Sequence, residues 1–387
     1  MSLTASESRT RIPFTSSPRP TIGVELEVQI LDPETMNLTA GSLDILERVG
    51  TDHPKIKQEL TQSTVEVITG ICDTVAEARA DLAGTLEEVY QIGDDVGLAF
   101  ALAATHPFAQ WRDQKIFPND RYQMLVDKIQ WPARRLLIYG LHVHVGVSSG
   151  EKAIALSNAL TTYIPHMLAV SASSPFTDFE DTGLASARSK IFEGMPTAGL
   201  PFRLANYGEF QAFMNTLIRA RAIKTIREIW WDIRPHPDFG TIEIRVCDVP
   251  STLTEVCALT ALIQSLVVSL GDAYDNGNYV NILRAWIVRE NKWRAVRNGL
   301  DADIITDNRG GHAPLRDEIN SLIEKVSPYA EELGCLGELG ALQPLLGEGA
   351  SYERQRRVHE QTGSLEAVVR SLSHEMRADL FGKPVAG

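Results

Sequence analysis

The feature that most constrains this chain is a strict alternation of apolar and polar residues in several short segments. In residues 21–31, TIGVELEVQIL, every second residue from Ile22 to Ile30 is apolar, and the residues between them include Glu25 and Glu27. A period of two places alternate side chains on opposite faces of a β-strand. The segment therefore predicts a strand with one apolar face and one polar face.

The same signal, or a uniformly apolar run, predicts further strands along the first two thirds of the chain. They are expected in residues 63–69, 97–105, 136–147, 229–235 and 240–246. Pro237, Asp238 and Gly240 lie between the last two segments, and such turn residues indicate a hairpin. The sequence therefore predicts about six strands, several of them close enough to pair antiparallel.

Helical patterns are inserted between these strands and then follow them. Thr74 with Glu77, and Thr252 with Glu255, form capping boxes that begin two helices. Residues 151–170 are also expected to be helical, and so is the chain after residue 281, with interruptions near 308–314 and 347–350. This order predicts an α+β fold with a strand-rich part, residues 21–250, and a helical part, residues 251–387.

Charge and cysteine usage exclude several classes of protein. The chain of 387 residues has 37 Lys and Arg against 50 Asp and Glu, and 37 − 50 gives a net charge of −13. This balance argues against a nucleic-acid partner, which usually requires a basic face. The four cysteines form no CxxC pair and no zinc-ligand spacing, so we expect buried thiols in a reducing compartment.

The chain has no clear targeting or membrane signal. No uncharged apolar stretch of about 18 residues is present, and residues 256–270 are better interpreted as a core helix. Residues 1–20 are rich in Ser, Thr, Arg and Pro, so we expect a flexible N-terminal tail and not a secretory signal. We expect a cytoplasmic protein with no membrane partner.

The polar faces of the predicted strands carry groups that bind metals or phosphates. These groups are Glu25, Glu27, Glu66, His142, His144, Glu243 and Arg245. The alternative is an ordinary solvent-exposed sheet face, but the core strand segments contain no lysine. Carboxylates gathered on one face would repel one another unless cations neutralised them. We therefore expect a site on this face.

Carboxylate ligands with one or two imidazoles suit Mg²⁺ or Mn²⁺ better than zinc. Together with nearby arginines, such a metal is typical of a phosphoryl-transfer site. The chain contains neither GxxxxGK[ST] nor GxGxxG. An ATP site here would therefore be of neither the P-loop nor the Rossmann type.

Residues 173–206 fit neither period and contain several glycines and prolines together with Arg188, Lys190 and Arg203. Irregular segments of this length are usually functional loops or disordered linkers. The aromatic and basic residues favour a binding loop.

Several blocks of the sequence resemble the type 2 glutamate–cysteine ligases, and more closely the bacterial carboxylate–amine ligase branch of that family. The blocks are GVELE at 23–27, VEVIT at 65–69, GLHVHVGV at 140–147, TGLASARSKIFEGMPTAGLP at 182–201, TIEIRVCD at 241–248, ENKWRAVRNGLDA at 290–302 and ERQR at 353–356. They occur in the family's order over nearly the whole chain.

This resemblance implies a glutamine synthetase-like fold, in which a curved, largely antiparallel sheet holds ATP and divalent metals on its concave face and packs on helices with its convex face. Residues 21–387 would form one catalytic domain. The implied reaction joins the γ-carboxylate of glutamate to the amine of cysteine through an acyl phosphate formed from ATP. Amino acids and ATP would be its small-molecule partners, and the helical second half is compatible with a homodimer.

The resemblance also implies roles for individual residues. The metal ligands would be Glu25, Glu27, Glu59, Glu66, His142 and Glu243. Arg245 would contact the transferred phosphoryl group, Arg188 would bind phosphate or a substrate carboxylate, and His144 would orient phosphate or a metal-bound water. Arg234 would face the same nucleotide site. For Arg354, Arg356 and Arg357, an ATP contact and a solvated basic helix face remain equally open.

Two other functions remain open from the sequence. An ATP:guanidino phosphotransferase would transfer phosphate without a second, attacking amine. A non-catalytic nucleotide-binding homologue would retain the metal-binding face without turnover, although the intact carboxylates and Arg245 argue against it.

Overall fold

The computed structural model describes residues 11–278 and 280–382. Within these ranges the chain forms strands β1 (Ile22–Leu31), β2 (Ile56–Gln58), β3 (Thr64–Ile68), β4 (Ala99–Ala101), β5 (Leu141–Gly146), β6 (Phe176–Thr177), β7 (Glu180–Asp181), β8 (Ile233–His236), β9 (Thr241–Ile244), β10 (Asp303–Ile305) and β11 (His312–Pro314).

The described α-helices are α1 (Ser42–Val49), α2 (Val75–Val96), α3 (Asp120–Ile129), α4 (Trp131–Arg134), α5 (Gly150–Leu160), α6 (Ile164–Ser171), α7 (Ala187–Phe192), α8 (Tyr207–Arg219), α9 (Leu253–Asp275), α10 (Ala285–Asn298), α11 (Leu315–Glu332), α12 (Leu336–Gly340), α13 (Leu342–Glu348), α14 (Ser351–Thr362) and α15 (Leu365–Phe381). Helices dominate after residue 250. The predicted α+β class is confirmed.

One seven-stranded sheet organises the first two thirds of the chain. Its order is β2-β3-β1-β5-β9-β8, with β4 also paired to β1, and all its strand pairs are antiparallel. The predicted hairpin forms between β8 and β9. The additional strand, β2, has only three residues, too few for an alternation to be recognised in the sequence.

The apolar face of the sheet is the centre of the main core. Alternate residues of β1 from Ile22 to Ile30 are at most 1% exposed. Helices α2 and α9 pack against this face, and both begin at the predicted threonine caps: Thr74 accepts the N–H of Glu77, and Thr252 accepts that of Glu255. The apolar stripe therefore orients the sheet so that its carboxylates point away from the helices.

Two expectations about helices are refined. The sequence predicts one helix over residues 151–170, but the structure divides them into α5 and α6 around a 3₁₀ turn at Thr161–Tyr163. Pro165, in the first turn of α6, has no N–H to continue the earlier helix.

The segments Gly150–Ser171 and Leu253–Asp275 are long and apolar enough to cross a membrane, yet 72% and 83% of their apolar windows are buried, as in core helices of soluble proteins.

The predicted N-terminal tail is partly packed against the sheet. Residues 1–10 lie outside the described part of the chain, whereas Ile12 and Phe14 contact a smaller apolar cluster that includes Tyr207. The Thr15 N–H donates to the carbonyl of Pro237 at 2.9 Å. Residues 11–20 are therefore attached to the Tyr207 cluster by apolar contacts and to the β8–β9 turn by a backbone hydrogen bond.

We predict that this attachment depends on Gly240. Gly240 has φ = 66°, and a Cβ at this position would overlap the Thr15 carbonyl. Gly277 has a nearly identical φ of 67°, and a Cβ there would meet no atom within 4 Å, so it controls for backbone strain alone. Gly240→Ala should lower the free energy of unfolding by about 1–3 kcal/mol more than Gly277→Ala in urea titrations. Equal losses would contradict the proposed packing of residues 11–20.

Candidate active site

A cavity of about 780 Å³ opens on the polar face of the sheet. Every residue that the sequence predicted for metal, nucleotide or catalytic roles lines it. These are Glu25, Glu27, Glu59, Glu66, His142, His144, Arg188, Arg234, Glu243 and Arg245. The structure therefore brings together side chains that are separated by up to 220 positions in the chain.

Strand register explains this convergence. Glu27 of β1 lies directly opposite Glu66 of β3, and Glu25 lies opposite His142 of β5. On the other side of β5, His144 lies opposite Glu243 of β9. Directly opposite residues in an antiparallel pair have side chains about 5 Å apart on the same face. A shift of one residue in any pairing would send one of these side chains into the apolar core.

The first half of the site is an acidic cluster. Potential ligand oxygens of Glu27, Glu59 and Glu66 lie within 4.8 Å of one another. Burial and then repulsion from Glu59 raise the pKa of Glu27 to about 8. Burial raises the pKa of Glu66 well above its ordinary value, and the neighbouring carboxylates, led by Glu25, raise it further. Burial and mutual repulsion therefore outweigh the attraction of the nearby arginines Arg188 and Arg245.

Glu25 lies between this cluster and two histidines. Its Oε2 is 3.1 Å from His142 Nδ1, and its Oε1 is 3.3 Å from His144 Nε2. Burial opposes ionisation, but the two imidazoles outweigh it and hold the pKa of Glu25 well below its usual range. Burial lowers the pKa of His142 to about 4, so this imidazole is neutral at pH 7 and available as a ligand.

The second half of the site is neutralised by arginines. Arg234 donates to both carboxylate oxygens of Glu243, at 2.8 and 2.9 Å, and Arg245 donates to Glu243 Oε1. Burial opposes the charge of Glu243, but these two guanidinium groups hold its pKa far below its usual range. The sequence predicts Glu243 as a metal ligand, and here its carboxylate already has two cationic partners.

Arg188 reaches the site from α7, within the segment predicted to be a binding loop. Its guanidinium donates to the carbonyls of Arg245 and Val246, each at 3.3 Å. Its buried Nε has no hydrogen-bond partner, and neither has the Nε of Arg245. A Cβ at Gly140 would overlap Arg188 Nη2. Glycine therefore allows the guanidinium to lie directly against the sheet.

The donor set fits divalent cations. Three groups of side chains have ligand atoms within 4.8 Å of one another: Glu25 with Glu66 and His142, Glu25 with His144 and Glu243, and Glu27 with Glu59 and Glu66. The ligands are mainly carboxylate oxygens, with neutral imidazole, as Mg²⁺ and Mn²⁺ prefer. His144 Nδ1 is held by Thr241 Oγ1 at 2.9 Å, which orients its other nitrogen toward Glu25.

Sequence reasoning missed a basic and aromatic rim around the cavity. Its cations are Lys57, Arg121, Lys128, Lys224 and Arg227, and its aromatic residues are Tyr122, Phe192, Trp230 and Phe239. Most of these residues lie on α3 or in the segment around residues 224–230, where no strand alternation marks them. The exceptions are Lys57, opposite Glu66 on the short strand β2, Phe192 at the end of α7, and Phe239 in the β8–β9 turn.

The three C-terminal arginines lie outside the cavity lining. Arg354 pairs with Glu255 at 2.7 Å, Arg356 pairs with Asp181 at 2.7 Å, and Arg357 donates to the Glu348 carbonyl at 2.8 Å. Their described contacts attach α14 to neighbouring parts of the fold. Of the two interpretations left open for these arginines, an ATP contact has no support in this arrangement.

A sequence model of the family described as glutamate–cysteine ligase family 2 matches residues 21–371. Similar proteins in three bacteria carry provisional names as glutamate–cysteine ligase 2. The protein of Thermobifida fusca is 47% identical over 97% of this chain and 95% of its own length. The protein of Frankia casuarinae is 48% identical over 97% of this chain and 99% of its own length. The protein of Gloeobacter violaceus is 46% identical over 93% of this chain and 98% of its own length.

Solved structures with the same fold are more distant in sequence. Glutamate–cysteine ligase from Francisella tularensis in complex with AMP has a TM-score of 0.63 at 12% identity, over 94% of this chain and 90% of that one. A bifunctional glutathione synthetase from Pasteurella multocida has a TM-score of 0.66 at 14% identity, over 94% and 53%. This similarity confirms the fold class expected from the sequence, and neither alternative function is favoured by these comparisons.

We predict that Mg²⁺ binding to the cavity weakens as the pH falls below about 8. The Glu27 carboxyl, with its pKa of about 8 in the metal-free protein, must lose its proton before it can act as a ligand. Affinity should therefore fall roughly tenfold per pH unit for each proton released. Calorimetric titrations with Mg²⁺ between about pH 6 and pH 8 would measure this slope. An affinity that does not change with pH would contradict it.

Glu66→Gln provides a second test of the same acidic cluster. The folded pKa of Glu66 lies above the unfolded value of about 4.3, so ionisation of this residue destabilises the metal-free fold as the pH rises. The variant should melt at or above the wild-type temperature near pH 8 without metal and should gain less stability from Mg²⁺.

Proposed function

Since the chain belongs to glutamate–cysteine ligase family 2 and is therefore an ATP-dependent carboxylate–amine ligase, we propose that it joins the γ-carboxylate of glutamate to the amine of cysteine. The proposed cofactor is Mg²⁺ or Mn²⁺, and the proposed intermediate is an acyl phosphate. The observation that carries the proposal is the convergence of unneutralised carboxylates and buried arginines in one cavity.

In the first step, a carboxylate oxygen of glutamate forms a bond to the γ-phosphorus of ATP while the bond to the β,γ-bridging oxygen breaks. ADP leaves, and the product is γ-glutamyl phosphate. Bound Mg²⁺ would neutralise phosphate charge and orient the transferred group. Glu25, Glu27, Glu59, Glu66 and His142 are the residues proposed to hold it, with Glu243 as a further ligand.

Arginines act beside the carboxylates in this step. Arg245 is proposed to contact the transferred phosphoryl group, and Arg188 is proposed to bind phosphate or a substrate carboxylate. The buried, unpartnered Nε atoms of both residues support these roles, because a buried N–H requires an acceptor. Arg234 keeps Glu243 ionised and in place, and it also lines the cavity, where its proposed role is to face the nucleotide.

In the second step, the neutral amine attacks the acyl carbon, the bond from that carbon to the phosphate oxygen breaks, and the nitrogen gives up one proton to the leaving phosphate or to solvent as the amide forms. The protein contributes alignment and exclusion of water, which otherwise hydrolyses the acyl phosphate. The proposed role of His144 is to orient the phosphate, since Thr241 fixes its ring.

Glutamate and cysteine are proposed from the description of the family and the names of its members. We also propose that residues 21–387 form one catalytic domain, because the strand-rich and helical parts share one apolar core that extends from Ile22 to Met376.

We predict that Glu27→Ala, Glu243→Ala and Arg245→Ala each lower turnover at least about 10²-fold, as expected when charge stabilisation of the transition state is lost. Arg370→Ala is the matched control, because Arg370 is an exposed arginine paired with Glu366 on α15. Steady-state release of ADP, with circular dichroism to verify folding, provides the measurement. A variant with a near-normal rate would refute the role of that residue.

We predict further that ADP release requires a carboxylate substrate, an amine and a divalent cation together. Purified protein would be supplied with ATP, glutamate and a panel of amines, with each component omitted in turn. Release that depends on a guanidino compound alone would favour a phosphotransferase. No ADP above background with any amine would reject the ligase proposal.

A further inference from the structure

Lys292 is a buried cation that lies behind the active site and does not line the cavity. Its side chain is 4% exposed, and its Nζ lies 2.7 Å from Asp232 Oδ2 and 2.8 Å from Glu193 Oε1. It belongs to the ENKWR segment of α10, whose function the sequence left unexplained. Asp232 is buried with Lys292, whereas Glu193 is 29% exposed and also pairs with Lys190 at 2.6 Å. Such an ion network is weak evidence for a stabilising role, since replacing buried ion pairs by apolar side chains of similar volume is often neutral or stabilising.

The first partner, Asp232, holds the segment directly after β9, which carries Arg245. The backbone carbonyl of Asp232 accepts the N–H of Arg245 at 2.8 Å and that of Val246 at 3.1 Å. Asp232 lies immediately before β8, so its side chain joins α10 while its backbone joins the end of β9. A movement of Asp232 would therefore displace the backbone of Arg245.

The second partner, Glu193, fixes the helix that carries Arg188. It directly follows α7, and its N–H donates to the Ser189 carbonyl at 3.1 Å. At the other end of this short helix, the Arg188 guanidinium donates to the carbonyls of Arg245 and Val246. Two chains of contacts therefore start at Lys292, one through Asp232 and one through Glu193 and α7, and both reach the backbone of residues 245 and 246.

This closed chain of contacts connects one lysine to Arg188 and Arg245, the two arginines whose buried Nε atoms have no hydrogen-bond partner. We propose that Lys292 is a positioning residue that holds Arg188 and Arg245 in a fixed relation for binding and transfer of the nucleotide phosphate. The inference rests on the proposed function of these two arginines. The Lys292 ammonium contacts both Glu193 and Asp232, so it fixes the distance between α7 and the end of β9. An apolar contact would allow a wider range of distances.

The test compares four variants with the wild-type protein: Lys292→Met, Lys292→Arg, a triple variant and Arg316→Met. Lys292→Met removes the cation and leaves the buried Asp232 carboxylate unpaired, while Glu193 keeps Lys190 as a partner, so this variant alone could fail to fold. A triple variant, Lys292→Met with Asp232→Asn and Glu193→Gln, removes all three charges and avoids buried unpaired charge. Arg316→Met is the matched control, since Arg316 also bridges two carboxylates, Asp301 at 3.1 Å and Glu353 at 2.7 Å, away from the cavity.

Two measurements are made on each folded variant. The first is the Kd of ATP in the presence of Mg²⁺ by calorimetry, and the second is kcat and the KM of the amine from ADP release. The triple variant should bind ATP about tenfold more weakly and turn over about 10²-fold more slowly, with the KM of the amine changed less than about twofold. Arg316→Met should match the wild type in all three values, and Lys292→Arg should recover part of kcat.

The outcomes separate this inference from the proposed function. A folded triple variant with wild-type ATP affinity and kcat would overturn the role of Lys292 even if the wild type is an active ligase. A wild type that binds ATP but turns over no amine would reject the ligase proposal. The Kd of ATP for the triple variant relative to that of the wild type would still decide the role of Lys292. Equal losses in Arg316→Met would show a general effect on stability and would also overturn it.

Discussion

The constraint on which the rest of the structure depends is the repulsion among carboxylates held on one face of the sheet. Glu25, Glu27 and Glu66 face one cavity because strand register places them there, and the apolar core behind β1 prevents any slip of register. Burial, and after it this repulsion, raises the pKa values of Glu27 and Glu66. Folding energy from the apolar face thus maintains a charge arrangement that is unfavourable until a cation binds, as is common at functional sites.

The negative charge of the carboxylates is balanced differently in the two halves of the cavity. Near Glu27 and Glu66 the protein supplies few cations, and this half of the cavity therefore suits exchangeable divalent ions. Around Glu243 the protein supplies Arg234 and Arg245 itself. A site with one permanent and one exchangeable source of positive charge is suited to a metal–nucleotide complex, whose phosphates require both.

The strand face and the polar side chains on it were predictable from the sequence because alternation reports directly on which side chains share a face. The same logic located the two capped helices, since Thr74 and Thr252 are local signals. The rim was not predictable: Arg121 and Trp230 lie on segments without strand periodicity, and only tertiary packing brings them to the cavity. The arginine partners of Glu243 were also missed, because the sequence gives the strand of Arg234 but not the ion pairs it forms. Lys292 carried no local signal, since its partners lie 60 and 99 positions away.

The central claim is that divalent cations and the phosphates of ATP meet on the carboxylate face of the sheet. Crystals grown with Mn²⁺ and a non-hydrolysable ATP analogue would test it most directly, through anomalous scattering at the manganese edge. The account predicts manganese peaks about 2.0–2.4 Å from carboxylate oxygens of Glu25, Glu27 or Glu66, with the γ-phosphate beside Arg245. Manganese peaks elsewhere, or a nucleotide bound away from these residues, would contradict it.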